Sequence, residues 1–237
     1  MKDIDSSMTK RLLSLSLFQG LTTEQLMDIL TKTRIEFVNV KDDYILREGQ
    51  RHEQMVFVIQ GTILREYREE KGLFTFFEEI GTDIIEPESL FGRDTTLRAN
   101  YWASGSVTLV VFDKRNLFNV FNHFGIVQIN ILNSFCATIQ SLQQKEFIPS
   151  GKNIGTSFCQ FVSQLSTHPL GEKKIDITRT DLAVILGCNR RAMSEMLVTL
   201  EKEGLISIGY RLLTIPDLEA LRQRVAQSDD SSISPTF

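Results

Sequence analysis

The chain has 237 residues, 42% of them hydrophobic, and carries 30 acidic against 26 basic side chains for a formal charge of −4. That length supports two modest domains with separate cores, and the charge excludes a protein that grips a polyanion through a global basic field, so any such site must be a local patch. The three widely spaced cysteines, Cys136, Cys159 and Cys188, exclude a disulfide framework and fit a reducing compartment. The start, MKDIDSSMTK, lacks a basic stretch followed by an apolar run, and no run of about 18 apolar residues occurs, so a cytoplasmic chain with no membrane span is expected.

The first segment, MTKRLLSLSLFQGLTTEQLMDILTKT, has apolar residues at helical spacing interrupted by Gly20. Two small helices are predicted, with Thr22 or Thr23 capping the second near Glu24. From Arg34 the period changes to two. RIEFVNV, YILREGQ, MVFVIQGTILREYRE, LFTFFEEI and GSVTLVVFD are short and rich in β-branched and aromatic residues, and REEKGLF reads as a hairpin connection. Such spacing predicts an antiparallel roll able to hold a small ligand, with the phenylalanines of LFTFFEEI lining its interior.

After Phe112 the pattern is helical again, first in KRNLFNVFNHF and then in a longer run from Ile126 to Phe147. Ile129, Leu132, Cys136 and Ile139 fall at alternating three- and four-residue steps, the spacing of a coiled-coil seam, and predict a homodimer. At 1.5 Å per residue this helix spans roughly 30 Å. IPSGKN, with Pro149 and Gly151, ends it. The expected organisation is α+β: a sensing roll with its preceding helices over 1–125, a dimerisation helix over 126–148, a winged helix-turn-helix over 149–225 and a disordered tail over 226–237.

The segment TRTDLAVILGCNRRAMSEMLVTLEKEGLI, from Thr178, reads as two short amphipathic helices hinged on a turn. Thr178 stands three residues before Asp181 and can cap the first. Ala183 keeps the face between the helices thin, Gly187 permits the turn, and Asn189 can cap the second helix. Met193, Met196, Leu197 and Leu200 fall at i, i+3, i+4, i+7 and must face a core. The opposite face then carries Arg190, Arg191, Ser194, Glu195 and Val198, polar at its entry, where a recognition helix meets base edges. GLISIGYRLLTI follows as a hairpin. Lys173 to Arg211 holds seven basic and five acidic residues, net +2, which leaves −6 for the rest.

ITRTDLAVILGCNRRAMSEMLVTLEKEGLI, together with LREGQRHEQMVFVIQGTI and its glycines Gly49 and Gly61, resembles the transcription regulators of the Crp/Fnr superfamily over nearly the whole chain. The resemblance implies a roll that senses a small effector, a dimerising long helix, and a winged domain that binds a palindromic duplex and touches RNA polymerase. It puts Arg179 at a phosphate-contacting position and Arg190 at a DNA-contacting arginine. Many relatives read RE with an arginine four residues after the glutamate; here Arg191 and Glu195 reverse that pair. Arginine suits guanine O6 and N7 and glutamate can accept from cytosine N4, so a different half-site is expected. An intrahelical ion pair between the two is the alternative.

Cyclic-nucleotide-binding rolls resemble one another in a GEL segment and a following RS pair. DIIEPESLF stands here instead, so Pro87 removes a backbone donor, and Glu86 and Glu88 bring carboxylates where a phosphate would sit. Cyclic AMP is disfavoured as the effector, and Arg98 is the residue left to bind a carboxylate or another anion. An iron–sulfur version of the family needs a cysteine cluster, and none lies before Cys136. The cofactor stays open: His52, His123 and Cys136 are each candidate axial ligands of a haem. Two rival readings are a cupin-like metal enzyme, for which no paired-histidine motif occurs, and a ligand-binding roll whose helix pair docks protein rather than DNA.

Overall fold

The computed structural model describes residues 6–33, 35–82, 84–146, 153–168 and 170–231. The chain opens with α1 (Ser6–Ser14), a single 3-10 turn at Ser16–Phe18 and α2 (Thr23–Lys32). Thr22 caps α2 in a reciprocal capping box with Gln25: each residue's side chain accepts from the other's backbone amide. The strands are β1 (Ile35–Lys41), β2 (Tyr44–Leu46), β3 (Gln54–Arg68) and β4 (Phe74–Ile80), then β5 (Asn100–Asp113) after the short α3 (Pro87–Phe91). α4 (Lys114–His123), α5 (Gly125–Glu146) and α6 (Ile154–Leu165) follow. The C-terminal elements are β6 (Lys173–Ile177), α7 (Arg179–Ile185), α8 (Arg190–Lys202), β7 (Ser207–Ile208), β8 (Leu212–Ile215) and α9 (Leu218–Ser231). Residues 147–152, which hold all of the expected helix-ending segment except Asn153, and the last six residues lie outside the described residues.

The chain divides into two compact units, one of residues 1–64 and 81–142, the other of residues 65–80 and 143–237. In the first, β1 runs antiparallel to β5 from Ile35 opposite Phe112 to Lys41 opposite Ser106, and β2 joins β5 further along. Gly61, at φ +95°, belongs to β3; a Cβ there would stand 2.6 Å from the Ser106 carbonyl oxygen, so only glycine fits. The core gathers Leu12, Phe18, Leu26 and Ile29 of the opening helices onto Phe57 and Phe112, whose rings and that of Phe18 lie 5.8–6.0 Å apart. α5 rests on this core through Val127 and Ile131, and the Asn130 amide donates to the carbonyls of Leu17 and Gln19 at 3.0 and 2.8 Å.

The second unit corrects one expectation. Phe74 and Phe76 do not line the roll: they pack with Phe158, Ile175, Leu182, Met193 and Leu197, because β4 pairs antiparallel with β6, Phe76 opposite Ile175. A segment from the middle of the strand region thus completes the core under the helix pair. β6 continues to β8, and β8 to β7.

Among the described residues, three charged side chains are buried in this unit. Glu78 and Lys173 are fully buried and stand 3.1 Å apart, with Arg65 3.6 Å from the carboxylate. Glu78 also accepts from the Ser166 hydroxyl (2.6 Å), the Thr167 amide and hydroxyl (3.0 and 2.7 Å) and the His168 amide (3.0 Å). Burial alone would push this carboxyl up, but the Ser166 hydroxyl, the Lys173 ammonium and the two amides outweigh it and hold it below the ordinary carboxylate range. The residues after α6 are thereby tied to β4.

The tail expected to be disordered from 226 is helical at its start. α9 continues to Ser231, since Leu218, Leu221 and Val225 are buried at helical spacing and the following Ala226 and Gln227 favour continuation of the helix. No described helix is long and apolar enough to cross a membrane.

Candidate nucleic-acid interface

Local chemistry sets the helix pair. Thr178 caps α7 by accepting from the Asp181 amide at 3.0 Å, and Arg179 then occupies the first, exposed position of the helix. Gly187 adopts φ +64°, a left-handed value that turns the chain sharply, and the Cys188 amide closes the turn onto the Ala183 carbonyl at 3.0 Å. Asn189 caps α8 through the Ala192 amide at 2.8 Å. Met193, Leu197 and Leu200 are buried, so the register of α8 is fixed against the core and its opposite face is committed to solvent.

That outer face carries Arg190, Arg191 and Glu195, all exposed, with Ser194 half-buried beside them. Arg191 and Glu195 are 90% and 67% exposed and form an ion pair, the Arg191 Nε donating to Glu195 Oε1 at 2.9 Å. Beside the entry to α8 lies a cleft of about 330 Å³ lined by Thr178, Arg179, Thr180, Arg190, Tyr210 and Arg211. Three arginines from three elements border this one opening, an arrangement suited to phosphate oxygens. Tyr210 and Arg211 were not picked out from the sequence. They form the tip of the β7–β8 hairpin, where Arg211 takes φ +61° and pairs with Asp176 at 3.0 Å, while Tyr210 is 96% exposed. An aromatic followed by an arginine at the turn of GLISIGYRLLTI was the available signal.

Residues 158–224 match the family model of a Crp-like helix-turn-helix domain. The C-terminal unit therefore carries a Crp-like helix-turn-helix domain. Among solved structures, the catabolite activator protein of Thermus thermophilus is similar at 15% identity, covering 90% of this chain and 99% of its own, with a TM-score of 0.48. The c-di-GMP-responsive global regulator CLP of Xanthomonas campestris is also 15% identical, covering 82% and 99%, with a TM-score of 0.44. DNR of Pseudomonas aeruginosa is 18% identical, covering 90% and 96%, with a TM-score of 0.40. No curated protein matches the chain's sequence.

The residues expected to form a dimer seam occupy one side of α5. Ile129, Leu132 and Ile139 are 54%, 59% and 53% exposed, and Cys136 is exposed in the same stripe. They face away from Val127 and Ile131, so the stripe is left over after α5 has satisfied its own core.

The expected effector residues differ in exposure. Glu86 is buried and holds the N-terminal flank of α3 in a left-handed conformation, φ 38°. Its carboxylate accepts from the Tyr101 hydroxyl (2.7 Å), the Ser89 hydroxyl (3.0 Å) and the Arg98 amide (3.4 Å). Glu88 and the Arg98 side chain are exposed. Of the haem candidates, His52 is buried beside Glu86 with neither ring nitrogen hydrogen-bonded among the described residues. Burial pushes its imidazole below the ordinary value, against the pull of the Glu86 carboxylate. His123 Nδ1 lies 2.7 Å from the Asn119 carbonyl on the surface, and Cys136 belongs to the α5 stripe. Among the described residues no three His, Cys, Asp or Glu side chains are grouped to hold a metal.

Proposed function

We propose that this chain is a sequence-specific, DNA-binding transcription regulator of the Crp/Fnr type that works as a homodimer and performs no catalysis. The observation that carries the reading is the convergence of Arg179, Arg190 and Arg211 on one cleft beside the exposed face of a helix whose other face is locked into a core. Arg179 holds a backbone phosphate, and Arg190, Arg191, Ser194 and Glu195 present the groups that meet base edges. The α5 stripe supplies the dimer contact, and two copies related by a two-fold axis read a palindromic duplex, from which the regulator meets RNA polymerase.

The roll takes a small effector other than cyclic AMP. Two observations support this: Pro87 has no amide hydrogen to offer a phosphate, and the Glu86 carboxylate is already engaged by Tyr101 and Ser89. The test of the DNA reading is retention of the dimer on random duplex as salt is raised. Phosphate contacts by several arginines give a steep fall in affinity, whereas a protein-docking helix pair gives none.

A further inference from the structure

The outward stripe of α8 runs Arg191, Glu195, Val198 and Lys202, at steps of four, three and four residues, opposite the buried Met193, Leu197 and Leu200. Three of the four are charged. Val198 is an apolar, β-branched side chain, 41% exposed, in the middle of that charged row. A single exposed valine on a surface is ordinary, and this position gives the helix no propensity advantage, since valine is a weaker helix former than the straight-chain residues around it. Its place is what distinguishes it: within the proposed interface it is the apolar group of the outermost stripe.

We propose that Val198 is a specificity-determining contact, its isopropyl group packing on the 5-methyl of a thymine in the major groove. The inference rests on the DNA-binding reading and deepens it. Base edges offer one apolar feature in that groove, the thymine methyl, and small apolar side chains are its partners. The neighbouring ion pair sets what Val198 works beside. Because Arg191 Nε is committed to Glu195 at 2.9 Å, the guanidinium keeps its two terminal NH₂ groups for guanine O6 and N7, and Glu195, besides the base edge it meets, holds that guanidinium in place. Seven residues separate Arg191 from Val198, about 10.5 Å along the helix at 1.5 Å per residue. At 3.4 Å per base pair this puts the thymine about three base pairs from the guanine.

The experiment uses the full-length dimer and a duplex chosen by selection from a randomised palindrome. Each thymine is replaced singly by deoxyuridine, which lacks only the methyl, and each guanine by 7-deazaguanine. One thymine per half-site weakens wild-type binding about fourfold when demethylated, the worth of one buried methyl, and about fifteenfold when both half-sites are changed. Val198→Ala binds the thymine and deoxyuridine duplexes equally. The 7-deazaguanine-sensitive position lies about three base pairs away, and Arg191→Ala abolishes that sensitivity. A selected site with no methyl-sensitive thymine, or sensitivity that persists in Val198→Ala, overturns the proposal and leaves DNA binding intact. Failure to select any duplex overturns the DNA-binding reading and this one together.

Discussion

Replacing Glu78 by glutamine keeps the shape of the side chain and removes its charge, which isolates the electrostatics of the buried cluster. The carboxylate oxygens accept from Ser166, Thr167 and His168 and face the Lys173 ammonium at 3.1 Å. Whichever way the new side-chain amide is turned, its NH₂ must meet a backbone N–H, that of Thr167 or of His168, and the hydroxyls can rotate but the backbone amides cannot. One backbone amide is then orphaned, and Lys173 keeps the Leu170 carbonyl at 2.6 Å as its neutral partner. An uncompensated buried ammonium costs about 3 to 5 kcal/mol. For a unit of this size that lowers the melting temperature by roughly 12 to 20 °C. Lys173→Met costs less, about 1 to 3 kcal/mol, because the carboxylate left behind keeps the donors of Ser166, Thr167 and His168. Urea unfolding followed by circular dichroism reads both variants and the double variant, which should fall short of the sum. The pH dependence has a definite sign. The depressed Glu78 group contributes stability that is present above the ordinary carboxylate range and is lost as pH falls through its folded value, and Glu78→Gln lacks that loss. A loss below about 1 kcal/mol for Glu78→Gln, or a larger loss for Lys173→Met, would refute the account of the cluster.

Leu132→Glu with Ile139→Glu should give a monomer by light scattering at micromolar concentration and abolish operator binding with it, since both residues are more than half exposed on α5; a dimeric double variant contradicts the seam. Arg179→Ala should weaken binding about equally on all duplexes and lower the salt slope by about 0.9; sequence-dependent losses would assign it to base reading instead. Unfolded His52 takes up a proton below about 6.5, whereas the buried ring resists until a lower pH, so stability is lost as pH falls from about 6.5 through the folded value, by at most about 1.4 kcal/mol per pH unit. His52→Gln should flatten that part of the urea-midpoint profile, and an unchanged profile would mean that the ring binds its proton equally well in the folded and unfolded chain. Calorimetry with cyclic AMP should show no micromolar binding, and heat with that affinity would mean that Glu86 yields to the ligand.

The helix pair was legible because its information is local. Thr178 and Asn189 announce the two starts, Gly187 the turn, and the apolar period at Met193, Leu197 and Leu200 fixes which face is buried. The fate of β4 was not. Alternation in LFTFFEEI says that one face is buried, and nothing in the segment says that its partner is β6, about a hundred residues further on. For the same reason Glu78 and Lys173 read as solvated charges until that pairing brings them together. Glu86 turns inward because a left-handed backbone before Pro87 aims its carboxylate at Tyr101, a residue fifteen positions away whose hydroxyl no local pattern reveals. The tail was misjudged at its start, where Leu221 and Val225 anchor a helix that polar residues then prolong.

Selection of the purified protein against a fully randomised duplex, with the dissociation constant of the enriched site measured by fluorescence anisotropy across a salt series, tests the central claim most directly. The account predicts enrichment of a palindrome whose half-sites lie about one helical turn apart, with affinity falling steeply and linearly in logarithmic salt. No enrichment, together with no salt-dependent retention on any duplex, would contradict it.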